Sequence, residues 1–96
     1  MDRATVLTLL REHLPVLAER FGVQGLRLFG SVARGTARQA NDIDILVAFD
    51  RPPDSNRLFG TQFCLEDLLG RPIDLVTETA LRDRLRRYVE LDAIAI

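Results

Sequence analysis

The sequence contains one cysteine, Cys64, and its thirteen basic residues include no lysine. A single cysteine excludes an internal disulfide bond and any metal site built from several cysteines. We therefore expect Cys64 to be a small buried hydrophobic residue on a helix. Arginine binds phosphate through two parallel hydrogen bonds, but genome composition explains the absence of lysine more simply than function does.

Long hydrophobic runs are also absent, and none approaches the roughly 20 residues that a membrane-spanning helix needs. Charged residues interrupt the N-terminus too early for a signal peptide. We therefore expect a cytoplasmic protein with no membrane partner. The formal net charge of −1 gives no global electrostatic reason to bind nucleic acid, and we expect no direct binding to it.

The chain has 96 residues, of which 47% are hydrophobic and 28% are charged. These fractions are typical of globular domains, and the length is near the lower limit for burying an adequate core without disulfide bonds. We expect residues 1–96 to form a single domain. That domain leaves little room for a second unit that would bind a substrate.

The spacing of apolar residues predicts three helices. The first covers residues 2–21, and Pro15 should kink or restart it because proline lacks the backbone donor. The second covers about 55–69, and its apolar stripe is expected to include Phe59 and Phe63.

The third predicted helix begins at Thr79 and buries Tyr88. Four arginines surround its apolar stripe, and such clusters are more often solvated than in contact with a partner or nucleic acid. They are Arg82, Arg84, Arg86 and Arg87. On the first helix, His13 lies close to the apolar residues and is expected to be structural.

Strands are predicted at 26–30, 42–50 and 72–77, of which the second should be central because both of its faces are largely apolar. The polar segment 31–35 can form one helical turn. Residues 91–96 form either a short edge strand or a frayed tail.

Three aspartates lie at or near the starts of these strands. Asp42 and Asp44 are two positions apart, so their side chains point to the same face and can converge on one point. A divalent cation would relieve their repulsion, and oxygen ligands favour Mg²⁺ or Mn²⁺. If the strands are neighbours, Asp74 supplies the third carboxylate of a two-metal phosphoryl or nucleotidyl transfer site.

Gly30 and Ser31 lie where a strand ends and a helical turn can begin. Unpaired backbone N–H groups there can face an anion, glycine allows a phosphate to approach the backbone, and the serine hydroxyl adds a donor. A purely structural interpretation stays open for the glycines and for Asp42, which could simply form a loop. The structural interpretation does not suit Asp44, because a carboxylate within an apolar strand needs a partner.

Taken together, four short motifs resemble those of the minimal nucleotidyltransferases of the polymerase-beta-like superfamily. The motifs are Gly30-Ser31, Arg34-Gly35, Asn41-Asp42-Ile43-Asp44 and Asp74. The resemblance extends over essentially the whole chain. The sequence departs from the family pattern at Asn41, where the family usually has serine, and both residues can form a turn.

The resemblance implies an α/β fold in which helices flank a small mixed sheet of three to four strands. The implied catalytic and metal-binding residues are Asp42, Asp44 and Asp74, with two Mg²⁺ ions and with Asp74 as third ligand or general base. The implied nucleotide-binding residues are Gly30, Ser31 and Arg34, although Arg34 can either contact phosphate or brace the loop.

The family also implies a partner. Stand-alone members of this size typically accompany a small all-helical protein of the HEPN class, a candidate ribonuclease toxin. The resemblance therefore implies an antitoxin that associates with the toxin and transfers AMP from ATP to one of its tyrosines. Two alternatives stay open: a catalytically silent antitoxin that acts by binding alone, and nucleotidyl transfer to a small molecule.

Overall fold

A computed structural model describes residues 2–35, 42–78 and 93–96. The elements in chain order are α1 (Arg3–Phe21), β1 (Val23–Phe29), α2 (Gly30–Arg34), β2 (Ile43–Phe49), α3 (Ser55–Leu69), β3 (Ile73–Thr77) and β4 (Ile94–Ala95). The expected α/β fold class is confirmed. The helix predicted to begin at Thr79, with Tyr88 and the arginines of 82–87, lies outside the described residues.

The four strands form one mixed sheet in the order β3-β2-β1-β4. β1 is antiparallel to both β2 and β4, whereas β2 and β3 are parallel. β2 is therefore an interior strand, as its apolar sequence predicts. β4 confirms the edge-strand prediction for the last residues, since Ile94 lies opposite Leu28 and Ala95 lies opposite Arg27.

One hydrophobic core joins the sheet to α1 and α3. α1 buries Val6, Leu10 and Leu17, and α3 buries Leu65 and Leu69, all at helical spacing. Their main partners on the sheet are the buried residues Leu26, Leu28, Ile43, Ile45 and Val47. Cys64 is partly buried on α3 and packs against this core, in agreement with its predicted structural role. None of the helices in the described part of the chain combines the length and the apolarity that crossing a membrane requires.

Of the two outcomes expected at Pro15, a kink or a restart, the structure excludes the restart, because α1 runs through the proline as one element. Pro15 cannot donate to the carbonyl of Arg11 one turn earlier. Both residues are exposed, so water can bond to that carbonyl, and the helix continues with one hydrogen bond fewer.

The predicted apolar stripe of the second long helix is wrong at Phe59 and Phe63, which are 53% and 65% exposed. The buried face of α3 instead includes Thr61, whose hydroxyl donates to the Arg57 carbonyl at 2.8 Å. Gly60 lies against α1, and a Cβ atom at this position would meet the Phe21 ring at 2.5 Å. Gly60 therefore permits close contact between α3 and α1. From the sequence alone, a glycine within a helix indicates only that the helix is less stable.

Arg57 joins three elements at the end of the sheet where β2 finishes. Its Nε donates to the Phe21 carbonyl at 2.8 Å, and its Nη2 pairs with Asp50 Oδ1 at 2.6 Å. The guanidinium also lies over the Phe49 ring. Because α1 ends at Phe21, this arginine satisfies a carbonyl that the helix leaves without an internal partner.

We expect Arg57→Met to lower the free energy of unfolding by about 2 kcal/mol, because it removes two hydrogen bonds and keeps most of the apolar stem. Urea denaturation measures the change. Arg11→Met is the matched control, since Arg11 is exposed on α1. Equal losses in the two variants would show that the Arg57 contacts contribute nothing.

Candidate active site

Asp44 lies at the centre of the candidate site because of its strand neighbours. It faces Phe29 across the antiparallel β1–β2 pair and Asp74 across the parallel β2–β3 pair. Directly opposite residues project from the same face of a sheet, and neighbouring strands are about 5 Å apart. The sheet therefore places the Asp44 and Asp74 side chains next to each other, and Asp42 lies two residues before Asp44.

The carboxyl of Asp44 is half-buried, and its pKa is raised from 3.8 to about 6. Burial is the largest cause, followed by the negative charge of Asp74 and a hydrogen bond to it, and then by the charge of Asp42. The positive charge of Arg34 opposes the shift in pKa. Among the described residues, the negative charges of Asp74 and Asp42 therefore raise the pKa of Asp44, and Arg34 opposes them only in part.

Gly30 follows β1 directly and adopts a φ of +72°, which residues with a Cβ atom rarely adopt. A Cβ atom at this position would overlap the carboxylate of Asp44. The sequence predicted that a phosphate would approach the backbone at Gly30. In the structure the side chain of Asp44 occupies the space beside this glycine. Gly30 therefore allows Asp44 to lie against the turn between β1 and α2.

The segment predicted to form one helical turn is α2, which carries Ser31 and Arg34. Val32 and Ala33 are buried against the sheet, so they fix the short helix beside β1 and β2. Gly35 ends the helix with a φ of +75°. The structure thus brings Gly30, Ser31 and Arg34 to the end of the sheet where Asp44 and Asp74 lie.

Asp42 is exposed and precedes β2, and Asn41 of the same motif lies outside the described residues. Within the described ranges, no group of three or more His, Cys, Asp or Glu side chains is placed to hold a metal ion. Asp44 and Asp74 nevertheless form an adjacent pair of oxygen donors with excess negative charge. Such a pair fits Mg²⁺, which typically binds one or two carboxylates and completes its shell with water and phosphate oxygens.

One contact behind the site was not predicted. Arg3, at the start of α1, donates from Nη1 to the carbonyl of Ala33 in α2 at 3.0 Å. The two residues are far apart in the sequence, so the spacing of apolar residues cannot reveal the contact. The only local signal is a basic residue in the first turn of a helix, where acidic residues are favoured.

Residues 10–96 match the protein family described as the nucleotidyltransferase domain. The chain belongs to this family. The matched segment includes the β1–α2 turn and the strands that carry Asp44 and Asp74. The chain is therefore an enzyme of the nucleotidyltransferase class, and the resemblance seen in its motifs is confirmed.

Several relatives are similar to this nucleotidyltransferase in sequence or in structure over most of their length. The protein adenylyltransferase MntA of Thermococcus cleftensis is 35% identical over 89 residues, which cover 93% of this chain and 90% of the relative. A solved structure described provisionally as a minimal nucleotidyltransferase is 42% identical and has a TM-score of 0.83, covering 100% of this chain and 97% of the other. A toxin–antitoxin structure with AMP-PNP is 25% identical and has a TM-score of 0.70, covering 99% of this chain and 72% of the other.

We expect Gly30→Ala to destabilise the nucleotidyltransferase by about 3 kcal/mol, because it adds overlap with Asp44 to the strain of a positive φ. Gly35→Ala is the matched control, since its φ is also positive but nothing lies near its added Cβ atom. It should lose only about 1 kcal/mol. Urea denaturation of both variants measures the difference, and equal losses would contradict the contact between Gly30 and Asp44.

The pKa of Asp44 predicts how stability depends on pH without metal. Since this pKa is raised to about 6, the carboxyl stabilises the fold fully below pH 3.8 and loses that contribution as the pH rises through 6. At about pH 8 in a chelator, Asp44→Asn should therefore be about 1 kcal/mol more stable than the parent. Two pKa units correspond to roughly 3 kcal/mol for a fully buried group, and solvent screening reduces this value.

Urea denaturation at acid and alkaline pH tests this expectation. Asp67→Asn is the control, because Asp67 is exposed on α3, away from the aspartate pair. The gain from Asp44→Asn should disappear at low pH, where Asp44 is protonated. A variant less stable than the parent at about pH 8 in a chelator would contradict the inferred excess of negative charge.

Proposed function

We propose that this chain transfers AMP from ATP to a tyrosine hydroxyl of a HEPN-type toxin and thereby acts as its antitoxin. The observation that carries the proposal is the pairing of Asp44 with Asp74 beside the Gly30 turn. The similarity to MntA over 90% of the length of that protein adenylyltransferase supports the reaction class. The proposed site of action is the cytoplasm, where ATP is available.

In the proposed reaction, the acceptor oxygen forms a bond to the α-phosphorus of ATP. The bond from that phosphorus to the bridging oxygen of the β-phosphate breaks, and pyrophosphate leaves. Asp74 takes the proton of the acceptor hydroxyl, because its carboxylate is exposed on β3 and can be reached by an incoming protein. This assignment gives Asp74 the role of general base.

The turn between β1 and α2 holds the triphosphate in this proposal. The proposed donors to phosphate oxygens are the backbone N–H groups of Gly30 and Ser31 and the Ser31 hydroxyl. Arg34 contributes positive charge at the same end of the sheet, where its effect on Asp44 is already visible. A related structure with AMP-PNP supports an adenine nucleotide as the substrate.

The proposed cofactor is Mg²⁺, with two ions expected. Asp42, Asp44 and Asp74 would hold the ions, which would neutralise the charge that develops at the α-phosphate. The adjacency of Asp44 and Asp74 supports this assignment, and the charge of Asp74, after burial, helps to raise the pKa of Asp44. No direct contact with nucleic acid and no membrane partner is proposed.

In this proposal the chain forms a hetero-oligomer with the toxin, and the toxin supplies the acceptor hydroxyl. The toxin–antitoxin structure with AMP-PNP shares its fold with this chain and supports such a pairing. An antitoxin that acts by binding alone would not need paired carboxylates, which repel each other when no cation is present. Transfer to a small molecule is the remaining alternative for the acceptor.

ATP radiolabelled at the α-phosphate, supplied with Mg²⁺, tests the proposal on the chain co-purified with a HEPN-type partner protein. We expect the parent and Asp67→Asn to label the toxin, whereas Asp44→Asn should lower the rate by about 10³-fold or more. Replacing the acceptor tyrosine with phenylalanine, or adding a chelator, should abolish labelling. Asparagine is close in shape to aspartate, and a melting curve equal to that of the parent would show that Asp44→Asn loses labelling without losing its fold.

Growth assays with the same variants separate catalysis from binding. The proposal expects Asp44→Asn to lose protection against the toxin while Asp67→Asn retains it. If no variant labels the toxin and all of them still suppress it, the binding-only antitoxin is the correct function. If label appears on a small molecule instead, the protein acceptor is wrong.

A further inference from the structure

The short helix α2 supports the proposed phosphate-binding turn, and two buried residues hold it against the sheet. It has five residues, of which Val32 and Ala33 are buried. Its first residue, Gly30, lies against the Asp44 carboxylate. A small tilt of α2 would therefore move the Gly30–Ser31 backbone relative to Asp44.

The carbonyl groups at the end of α2 need partners from outside the helix. The N–H of Gly35 serves the carbonyls of Ser31 and Val32. The Ala33 carbonyl accepts from Nη1 of Arg3 at 3.0 Å, and Ala33 is only 5% exposed. Arg3 therefore gives one carbonyl in the last turn of α2 a partner through a partly buried hydrogen bond.

Arg3 is itself held in position by the first turn of α1. The side chain of Asp2 accepts from the Thr5 N–H at 2.8 Å, and the Asp2 carbonyl accepts from the Val6 N–H at 3.1 Å. A positive charge at this end of a helix opposes the helix dipole. The position of Arg3 is therefore unfavourable for α1, whereas at the carboxyl end of α2 the same charge is favourable.

We propose that Arg3 is a positioning residue of the nucleotide site. It joins the first turn of α1 to the last turn of α2 and so keeps the Gly30–Ser31 turn aligned with Asp44 while a nucleoside triphosphate binds. Arg3 acts through α2 and does not itself contact the reacting atoms. The inference rests on the proposed function, since it takes phosphate binding at this turn as its starting point.

Variants of Arg3 test the inference in the full complex with the toxin, with ATP and Mg²⁺ as the probe. Arg3→Met should raise the Kd and the KM for ATP roughly 5- to 10-fold, the effect of one lost hydrogen bond, while kcat at saturating ATP stays within about twofold. Arg3→Lys should recover part of the affinity, because lysine can donate one hydrogen bond. Arg11→Met, on the exposed part of the same helix, should leave the Kd unchanged.

Amide hydrogen exchange provides a measurement that requires no nucleotide. Arg3→Met should speed exchange at Gly35, whose N–H bonds within α2, and leave Ile45 of β2 unchanged. Equal acceleration at both residues would mean a general loss of stability and would overturn the positioning role. An ATP affinity equal to that of Arg11→Met would also overturn it.

Failure of the inference can be distinguished from failure of the proposed function. If the parent protein neither binds ATP nor labels the toxin, the proposed function is wrong and the positioning of a nucleotide by Arg3 is wrong with it. If the parent is active and Arg3→Met shows unchanged exchange at Gly35 and unchanged KM, only the role of Arg3 is wrong.

Discussion

Two carboxylates of like charge, Asp44 and Asp74, lie side by side because the hydrophobic core fixes the sheet register. Ile43 and Ile45 flank Asp44 and are fully buried. A slip of β2 by one residue would expose both isoleucines and bury the aspartate. Burial of each isoleucine stabilises the fold by roughly 1.5–3 kcal/mol, which exceeds the cost of charge repulsion at a half-buried site. The core therefore holds the charges together, and the electrostatics of the site follow from it.

The carboxylate of Asp44 also determines which residue can follow the end of β1. Asp44 touches three elements at once, since it faces Phe29 on β1, Asp74 on β3 and the α-carbon of Gly30 in α2. The turn proposed to hold phosphate and the aspartates proposed to hold metal therefore share one side chain. A change in any of the three elements would alter the position of Asp44, and the geometry of both halves of the site would change together.

Much of the fold could be predicted from the sequence because local patterns determine it. The period of apolar residues located the strands and the first two long helices, and Asp54, a residue type favoured at helix N-caps, caps α3. The patterns failed where a distant residue decides the outcome. The need for glycine at position 60 depends on the ring of Phe21, and the exposure of Phe59 and Phe63 depends on how α3 rotates against α1.

The candidate site could likewise be predicted from the sequence only in part. Residue types and spacing predicted a site at the aspartates and the Gly30–Ser31 turn, but the distances between these residues follow from strand order, which no local pattern contains. The contact of Gly30 with Asp44 and the bond from Arg3 to Ala33 are likewise invisible in the sequence. Both join segments through the tertiary fold, and they required coordinates to be found.

The edge strand β4 has a consequence for how the chain folds. Its two residues pair with Arg27 and Leu28 of β1, although α2, β2, α3 and β3 lie between the two strands in the sequence. Contacts so distant in the sequence form slowly, because a long loop must close first. Until they form, β1 has one unpaired edge, and exposed edges favour pairing between separate chains. The fold is therefore more vulnerable to aggregation in the interval before β4 pairs with β1.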